Sequence, residues 1–440
     1  MVKVITYGSY DLLHYGHIRL LERAKALGDY LIVGVTSDDY DKIRGKINLQ
    51  QSLMERVEAI RAIGLADEII IEEFEGQKID DIRKYNIDIF TVGSDWEGYF
   101  DYLNAYCKVI YLPRTEGVSS SALREKNLAV RLGLVGNTGF LNKVWKESKL
   151  VNGIFIHALC TTKPEVMEEQ AREEIEMITE DYDMLLCKVD AVYIRSLPKY
   201  HYTHIKKALN AGKHVLCESP MTLSRTQTDH LLQLASSNGL VLMEAIKTAY
   251  ATAYTRLLLL IKAGKIGDVV SVDSICTSIR EIQEEHEWSS IYEWGPTAML
   301  PVFQILGTEY KKCEIVSQFR NRGQDSFTKI DFVYEHAVAS IKIGDGVKSE
   351  GELIVSGTKG YIYVPAPWWK TDYFEIRYEV PTQNKRYFYQ LDGEGIRYEL
   401  VAFTRAIERG RLLSDISKDV TLKISETMDK FENRENMVFI

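Results

Sequence analysis

The chain has 440 residues, of which 45% are hydrophobic and 27% charged, and a formal net charge of −9. That length exceeds what one hydrophobic core usually serves, so two or three domains of ordinary globular composition are expected. The acidic balance argues against nucleic acid or an anionic membrane as the main partner, so a phosphate-rich ligand must be held by local cations.

The run Val2–Tyr7 predicts a buried strand, and the spacing of Ile18, Leu20, Leu21, Ala24 and Leu27 predicts the helix after it. Between them lies Gly8-Ser9-Tyr10-Asp11-Leu12-Leu13-His14-Tyr15-Gly16-His17. His14 and His17 are three apart and share a face at the first turn of that helix, just past the strand's C-terminal edge. Backbone N–H groups converge at such a turn and the helix dipole favours anions, which makes it a phosphate site. Further strands are predicted at 30–35, 68–71, 87–92 and 108–111, with helices at 17–27, 53–62, 78–85 and 96–106. This alternation predicts a doubly wound parallel sheet with ligands at the C-terminal edges of its strands.

Three other stretches in this region carry chemistry. Lys42-Ile43-Arg44-Gly45-Lys46 is a basic, glycine-containing segment after the second strand. Val92-Gly93-Ser94-Asp95-Trp96-Glu97-Gly98 lies at a strand end. In Leu112-Pro113-Arg114-Thr115-Glu116-Gly117-Val118-Ser119-Ser120-Ser121, Arg114 offers a planar fork suited to phosphate and Thr115, Ser119 and Ser120 add hydroxyls, the last two as candidate N-caps.

After the charged stretch Arg124–Asn127, a second strand, Gly-rich turn and helix pattern begins at 131–139. A strand at 191–194 and a helix at 201–211 follow, then a C-capping glycine, a strand and a turn within 212–220, and then strands at 269–276, 330–334, 337–343 and 374–378. The expected organisation is 1–128, 129–265 and 266–440: a doubly wound Rossmann-like α/β domain, a second Rossmann-like domain, and an α+β open-sheet domain. Cys107, Cys160, Cys187, Cys217, Cys276 and Cys313 form no CxxC pair and read as reduced core residues, not a zinc site or disulfide framework. No signal-peptide pattern precedes the first strand and no apolar run reaches membrane length, so a cytoplasmic protein without membrane insertion is expected.

The segment Gly8–His17 resembles the HxGH signature of nucleotidyltransferases, and closely that of the cytidylyltransferase branch typified by glycerol-3-phosphate cytidylyltransferase. Arg114–Ser121 resembles the RTxGxST motif of that family, with Ser120 where threonine is usual, a change that keeps the hydroxyl donor. The likeness covers about residues 1–128. It implies CTP and glycerol 3-phosphate as substrates, with glycerol 2-phosphate or another small polyol phosphate as the alternative acceptor. His14, His17, Lys46 and Arg114 are then the catalytic cations, and Ser9, Tyr10, Gly16, Arg44, Thr115, Ser119 and Ser120 hold CTP. Asp11, Asp38, Arg56, Asp95 and Trp96 line the acceptor region. Mg²⁺ is expected with the triphosphate and no protein residue is assigned as a metal ligand. CDP-glycerol as product implies a place in cell-envelope polysaccharide synthesis.

The second half, from Ala191-Val192-Tyr193-Ile194 through Gly212-Lys213-His214-Val215-Leu216-Cys217-Glu218-Ser219-Pro220, resembles the Gfo/Idh/MocA oxidoreductases over about residues 130–435. Its functional positions depart from that family. Thr138 replaces the second glycine of the dinucleotide turn, Leu141 a small residue, Ser219 the lysine of Glu-Lys-Pro and Lys199 an asparagine. Glu293 and Thr297 stand near the places of an expected Asp/His pair, and His201 and His204 are read as surface or packing histidines. These changes argue against NAD(P) and for a non-catalytic half that assembles the chain as a homodimer or homotetramer. The alternative is a bifunctional enzyme whose second half is an NAD(P)-dependent reductase supplying the acceptor.

Overall fold

In the computed structural model the first five predicted strands form one parallel sheet. The structure describes all residues except Leu12, His14, 44–48, Gln50, Glu75, 114–128, 280–288, 321–322, Gln390, Asp392 and 411–413, and it omits the side chains of Tyr15, Lys42, Ile43 and Asp95. Residues Met1–Ala129 make one compact unit and Val130–Ile440 another.

In the first unit β1 (Lys3–Gly8), β2 (Tyr30–Thr36), β3 (Glu68–Glu72), β4 (Ile89–Gly93) and β5 (Lys108–Leu112) lie in the order β3-β2-β1-β4-β5. The helices are α1 (Tyr15–Lys25), α2 (Asp38–Ile43), α3 (Leu53–Ile63) and α4 (Gln77–Tyr85). Alternate β1 residues enter separate cores: Val4 packs with Leu21, Val33 and Ile60, and Ile5 with Ile82, Phe90 and Leu103. Burial on both faces explains why these strands are near-continuous apolar runs. The strand order reverses between β1 and β4, which opens a crevice at their C-terminal ends.

The helix expected over 96–106 does not form. Two 3₁₀ turns, Ser94–Trp96 and Asp101–Ala105, stand in its place, with Gly98 between them at φ +80°. Glu97 and Tyr99 N–H donate to the carbonyls three residues back, at 3.0 Å each. The rings of Trp96, Tyr99 and Phe100 pack on one another, with centroids 4.9–5.9 Å apart. Aromatic packing and a left-handed glycine thus override the helical spacing.

The second unit contains a parallel sheet in the order β11-β10-β9-β6-β7-β8. Its strands are β6 (Val130–Gly136), β7 (Ile154–Cys160), β8 (Met177–Thr179), β9 (Ala191–Arg195), β10 (His214–Glu218) and β11 (Leu242–Ala245). A mixed nine-stranded sheet follows, ordered β19-β18-β17-β16-β12-β15-β14-β13-β20. Its strands are β12 (Val269–Ser278), β13 (Lys312–Phe319), β14 (Asp325–Val333), β15 (Val338–Asp345), β16 (Leu353–Gly357), β17 (Tyr361–Val364), β18 (Tyr373–Arg377), β19 (Lys385–Phe388) and β20 (Met437–Phe439). The helix Ser290–Leu306 covers one face of this sheet, burying Ala298, Met299 and Phe303 with Val272, Phe332 and Ile341. Val333, Val338 and Tyr361 are exposed. Within the unit the helix Ile396–Glu408 is tied to the helix Leu141–Ser148 by Arg397, which donates to both carboxylate oxygens of the buried Glu147 at 2.7 and 3.0 Å.

Cys160, Cys217, Cys276 and Cys313 are buried free thiols, but Cys187 is exposed, contrary to the core reading. It follows the short helix Tyr182–Leu186 as its C-cap, and that helix buries Leu185 and Leu186 instead. Among the described residues no helix is long and apolar enough to cross a membrane.

Candidate functional site

The end of β1 shapes the crevice. Tyr10 adopts a left-handed conformation (φ 53°), costly for a residue with a Cβ, and its ring folds back over Gly8. A Cβ on Gly8 would lie 3.0 Å from that ring, so any side chain there would have to displace it. The buried Tyr10 ring meets the His17 imidazole edge-on, with centroids 5.6 Å apart and planes at 74°. Burial drives the Tyr10 phenol well above its usual pKa, so it stays neutral beside the imidazole. Gly16 and His17 are the second and third residues of α1, whose first turn carries no acidic side chain. Gly16 and His17 thus stand at the N-terminal turn of a helix that follows the strand edge, where main-chain N–H groups and the helix dipole favour an anion.

Arg56 braces the adjoining loops. It projects from α3, is fully buried, and donates to the Ser9 carbonyl at 2.5 Å and the Thr36 carbonyl at 2.9 Å. It also donates to the Asp38 carboxylate, and Asp41 lies 3.6 Å away. Ser9 Oγ donates to Asp41 at 2.7 Å, and the Asp11 carboxylate accepts the Gln51 N–H at 3.0 Å. The ends of β1 and β2 are thus tied to the segment before α3. A second buried set lies at the strand edge: Lys78 pairs with Glu72, which accepts from Thr36 Oγ1 at 3.0 Å, and Tyr7 donates to Asp81 at 2.9 Å.

Of the residues singled out in the sequence, Ser9, Tyr10, Asp11, Gly16 and His17 gather at the β1–α1 junction. Asp38 and Arg56 pair beside them, and Asp95 and Trp96 occupy the 3₁₀ turn after β4, the neighbouring strand across the reversal. Trp96 is partly exposed. His14, Arg44, Lys46, Arg114, Thr115, Ser119 and Ser120 lie outside the described residues, as does the Asp95 side chain. Sequence reasoning missed Asp41, Glu72 and Lys78. Asp41 carried a weak signal as the third acid of Asp38-Asp39-Tyr40-Asp41, whereas nothing local marks Glu72 and Lys78 as a buried pair. Among the described residues no group of His, Cys, Asp and Glu side chains is arranged to hold a metal ion.

In the second unit, Gly136 ends β6 at φ 152°, where a Cβ would meet the Arg195 carbonyl oxygen at 2.4 Å. The Thr138 Oγ1 is buried without a hydrogen-bond partner among the described residues, and Leu141 is fully buried. Strand β7 runs into Thr161-Thr162-Lys163, with no carboxylate of the kind that holds a ribose hydroxyl. His201 is fully buried and its ring nitrogens face the carbonyls of Ser196 (2.8 Å) and Pro220 (2.9 Å), so it packs the loop after β9 against the turn after β10.

A cytidylyltransferase-like family model matches residues 5–126, and that of an oxidoreductase family with an NAD-binding Rossmann fold matches 130–246. Over 125 residues the chain is 50% identical to the glycerol-3-phosphate cytidylyltransferase of Bacillus spizizenii, covering 28% of this chain and 96% of that one. It is 25% identical over 264 residues to the trans-1,2-dihydrobenzene-1,2-diol dehydrogenase of Oryctolagus cuniculus, covering 54% and 80%. Among solved structures, a 3-ketoreductase from Actinomadura kijaniata bound to NADP and TDP-benzene superposes with a TM-score of 0.63 at 18% identity, over 71% of this chain and 99% of that one. At that identity the superposition shows the fold of the second unit alone. Strand reversal, histidine-bearing helix start and sequence identity agree: the chain belongs to the cytidylyltransferase family, on the glycerol-3-phosphate cytidylyltransferase branch, and carries a Gfo/Idh/MocA oxidoreductase unit behind that domain.

Proposed function

We propose that the first unit joins CTP and glycerol 3-phosphate, or a similar small polyol phosphate, into CDP-glycerol and pyrophosphate. The observation that carries this reading is His17 at the opening turn of α1, at the strand reversal of a domain 50% identical to a glycerol-3-phosphate cytidylyltransferase. An oxygen of the acceptor phosphate attacks the α-phosphorus of CTP, the bond to the β-phosphate bridging oxygen breaks, and pyrophosphate leaves with that electron pair. The acceptor is already ionised at neutral pH, so no strong base is required. Catalysis rests on positioning and on donors to the oxygens that gain charge.

His17, with His14, Lys46 and Arg114, is assigned to those phosphate oxygens. Tyr10, Gly16, Arg44, Thr115, Ser119 and Ser120 are assigned to CTP. Asp95 and Trp96 are assigned to the acceptor. Ser9, Asp11, Asp38 and Arg56 belong to a hydrogen-bonded brace, which supports a positioning role beside substrate for them. Mg²⁺ bound to the triphosphate supplies charge neutralisation. The test is pyrophosphate release from the full chain with Mg²⁺, each NTP and a panel of polyol phosphates. Release with CTP and glycerol 3-phosphate is expected, and none with CTP and any phosphorylated polyol overturns the proposal.

For the second unit we propose assembly into a homodimer or homotetramer without hydride transfer. Thr138 in the turn and Ser219 in place of a lysine support the lack of chemistry, and the uncovered strand positions Val333, Val338 and Tyr361 support assembly. Titration calorimetry with NAD(H) and NADP(H) should show no saturable micromolar binding; such binding would restore the reductase reading.

A further inference from the structure

The second unit carries an open pocket of about 380 Å³, within the ~300–1,000 Å³ range of small-molecule sites. Three lysines from separate elements meet in it: Lys143 from the helix Leu141–Ser148, Lys247 from the turn after β11, and Lys370 from the turn before β18. Their ammonium groups converge on one carboxylate. Lys143 Nζ lies 3.2 Å from Glu394 Oε1, Lys247 Nζ lies 3.3 Å from Oε2, and Lys370 also donates to Oε2.

A single carboxylate cannot neutralise three ammonium groups. Burial opposes ionisation of Glu394, yet Lys370, Lys247 and Lys143 hold its pKa down to about 2. Burial and the neighbouring Lys370 in turn push Lys247 below its ordinary value. Arg195 is paired with Glu293 at 2.9 Å, and burial and Glu218 raise the pKa of Glu399. Glu218 is itself raised by burial and accepts from Tyr193. The Glu399 Oε2 is buried with no hydrogen-bond partner among the described residues. Trp294 and Trp369 also line the cavity, with ring centroids 5.0 Å apart.

We propose that this cavity binds a small organic phosphate, its dianion bridged by Lys143, Lys247 and Lys370 and its carbon skeleton lying against Trp294 and Trp369. Three donors arriving from three elements suit the three terminal oxygens of a tetrahedral phosphate ester. A planar carboxylate presents only two oxygens. The site requires no redox chemistry, and it gives the turn bearing Ser219 a role that a lost catalytic lysine does not exclude.

The test uses the full chain carrying Trp96→Phe, which leaves tryptophan only in the second unit. Titration with glycerol 3-phosphate and, separately, inorganic phosphate should give a saturable change in tryptophan fluorescence. The apparent affinity should fall at least tenfold in the Lys143→Ala/Lys370→Ala double variant and in Lys247→Met. The double variant alters side chains that are 47% and 34% exposed, so it reads the site even where Lys247→Met fails to fold. Overturning results are no saturable change with either phosphate, an unchanged affinity in the double variant, or a response to succinate or NADPH alone.

Discussion

His17 and Arg56 both bring nitrogen donors to the end of β1, but burial gives them different tasks. The His17 ring is edge-packed by Tyr10 at the opening of α1, whereas Arg56 is fully enclosed and donates to main-chain carbonyls and Asp38. Under the proposed reaction, His17→Ala should keep the fold by circular dichroism and slow cytidylyl transfer by about 10²–10³-fold. A rate near wild type would remove His17 from the phosphate cage. Arg56→Ala strands the fully buried Asp41 without its neighbouring cation, and should cost about 3–5 kcal/mol in urea unfolding of the first unit. Arg56→Lys should rescue little, because an ammonium lacks the fork that reaches the Ser9 and Thr36 carbonyls together. The sequence marked both residues for the site. Only packing showed that Arg56 is enclosed and holds main chain, while His17 packs on Tyr10 at the helix start.

Helix α3 carries Arg56, so its start matters to the site. Ser52 Oγ accepts the Glu55 N–H and the Glu55 carboxylate accepts the Ser52 N–H at 2.7 Å, a reciprocal cap. Ser52→Ala should therefore lower the stability of the first unit by about 0.5–2 kcal/mol, read from chemical denaturation, and an unchanged midpoint would show the cap to be redundant. Elements with strong periodicity were legible: α3 was expected over 53–62 and spans Leu53–Ile63, and β9 was expected over 191–194 and spans Ala191–Arg195. The 96–106 segment was not. Its spacing suits a helix, but Gly98 and the ring cluster around Phe100 select 3₁₀ turns through contacts that hydrophobic spacing does not encode.

Across the whole molecule, buried polar groups set the response to pH. Burial pushes His201 in the second unit down to about 4, despite the two carbonyls facing its ring. Its pKa in the unfolded chain is about 6.5, so between these values the unfolded state binds more protons and the folded state loses stability as pH falls. The expected loss reaches about 3 kcal/mol near pH 4 and levels off below it; His204, also lowered by burial, acts in the same direction. Thermal melts of His201→Gln against wild type between pH 7 and 4 measure it, and equal slopes would contradict the assignment. The sequence by itself determined the two α/β rhythms, the HxGH segment and the altered positions Thr138 and Ser219, because periodicity and motif spacing are local properties of the chain. Only the tertiary structure decided which charges are buried and with whom. Arg56 meets Asp38 and Asp41 across a strand end, and Lys143 meets Glu394 across 251 residues of chain. Burial and long-range pairing arise when distant segments pack together, and no window of sequence contains them.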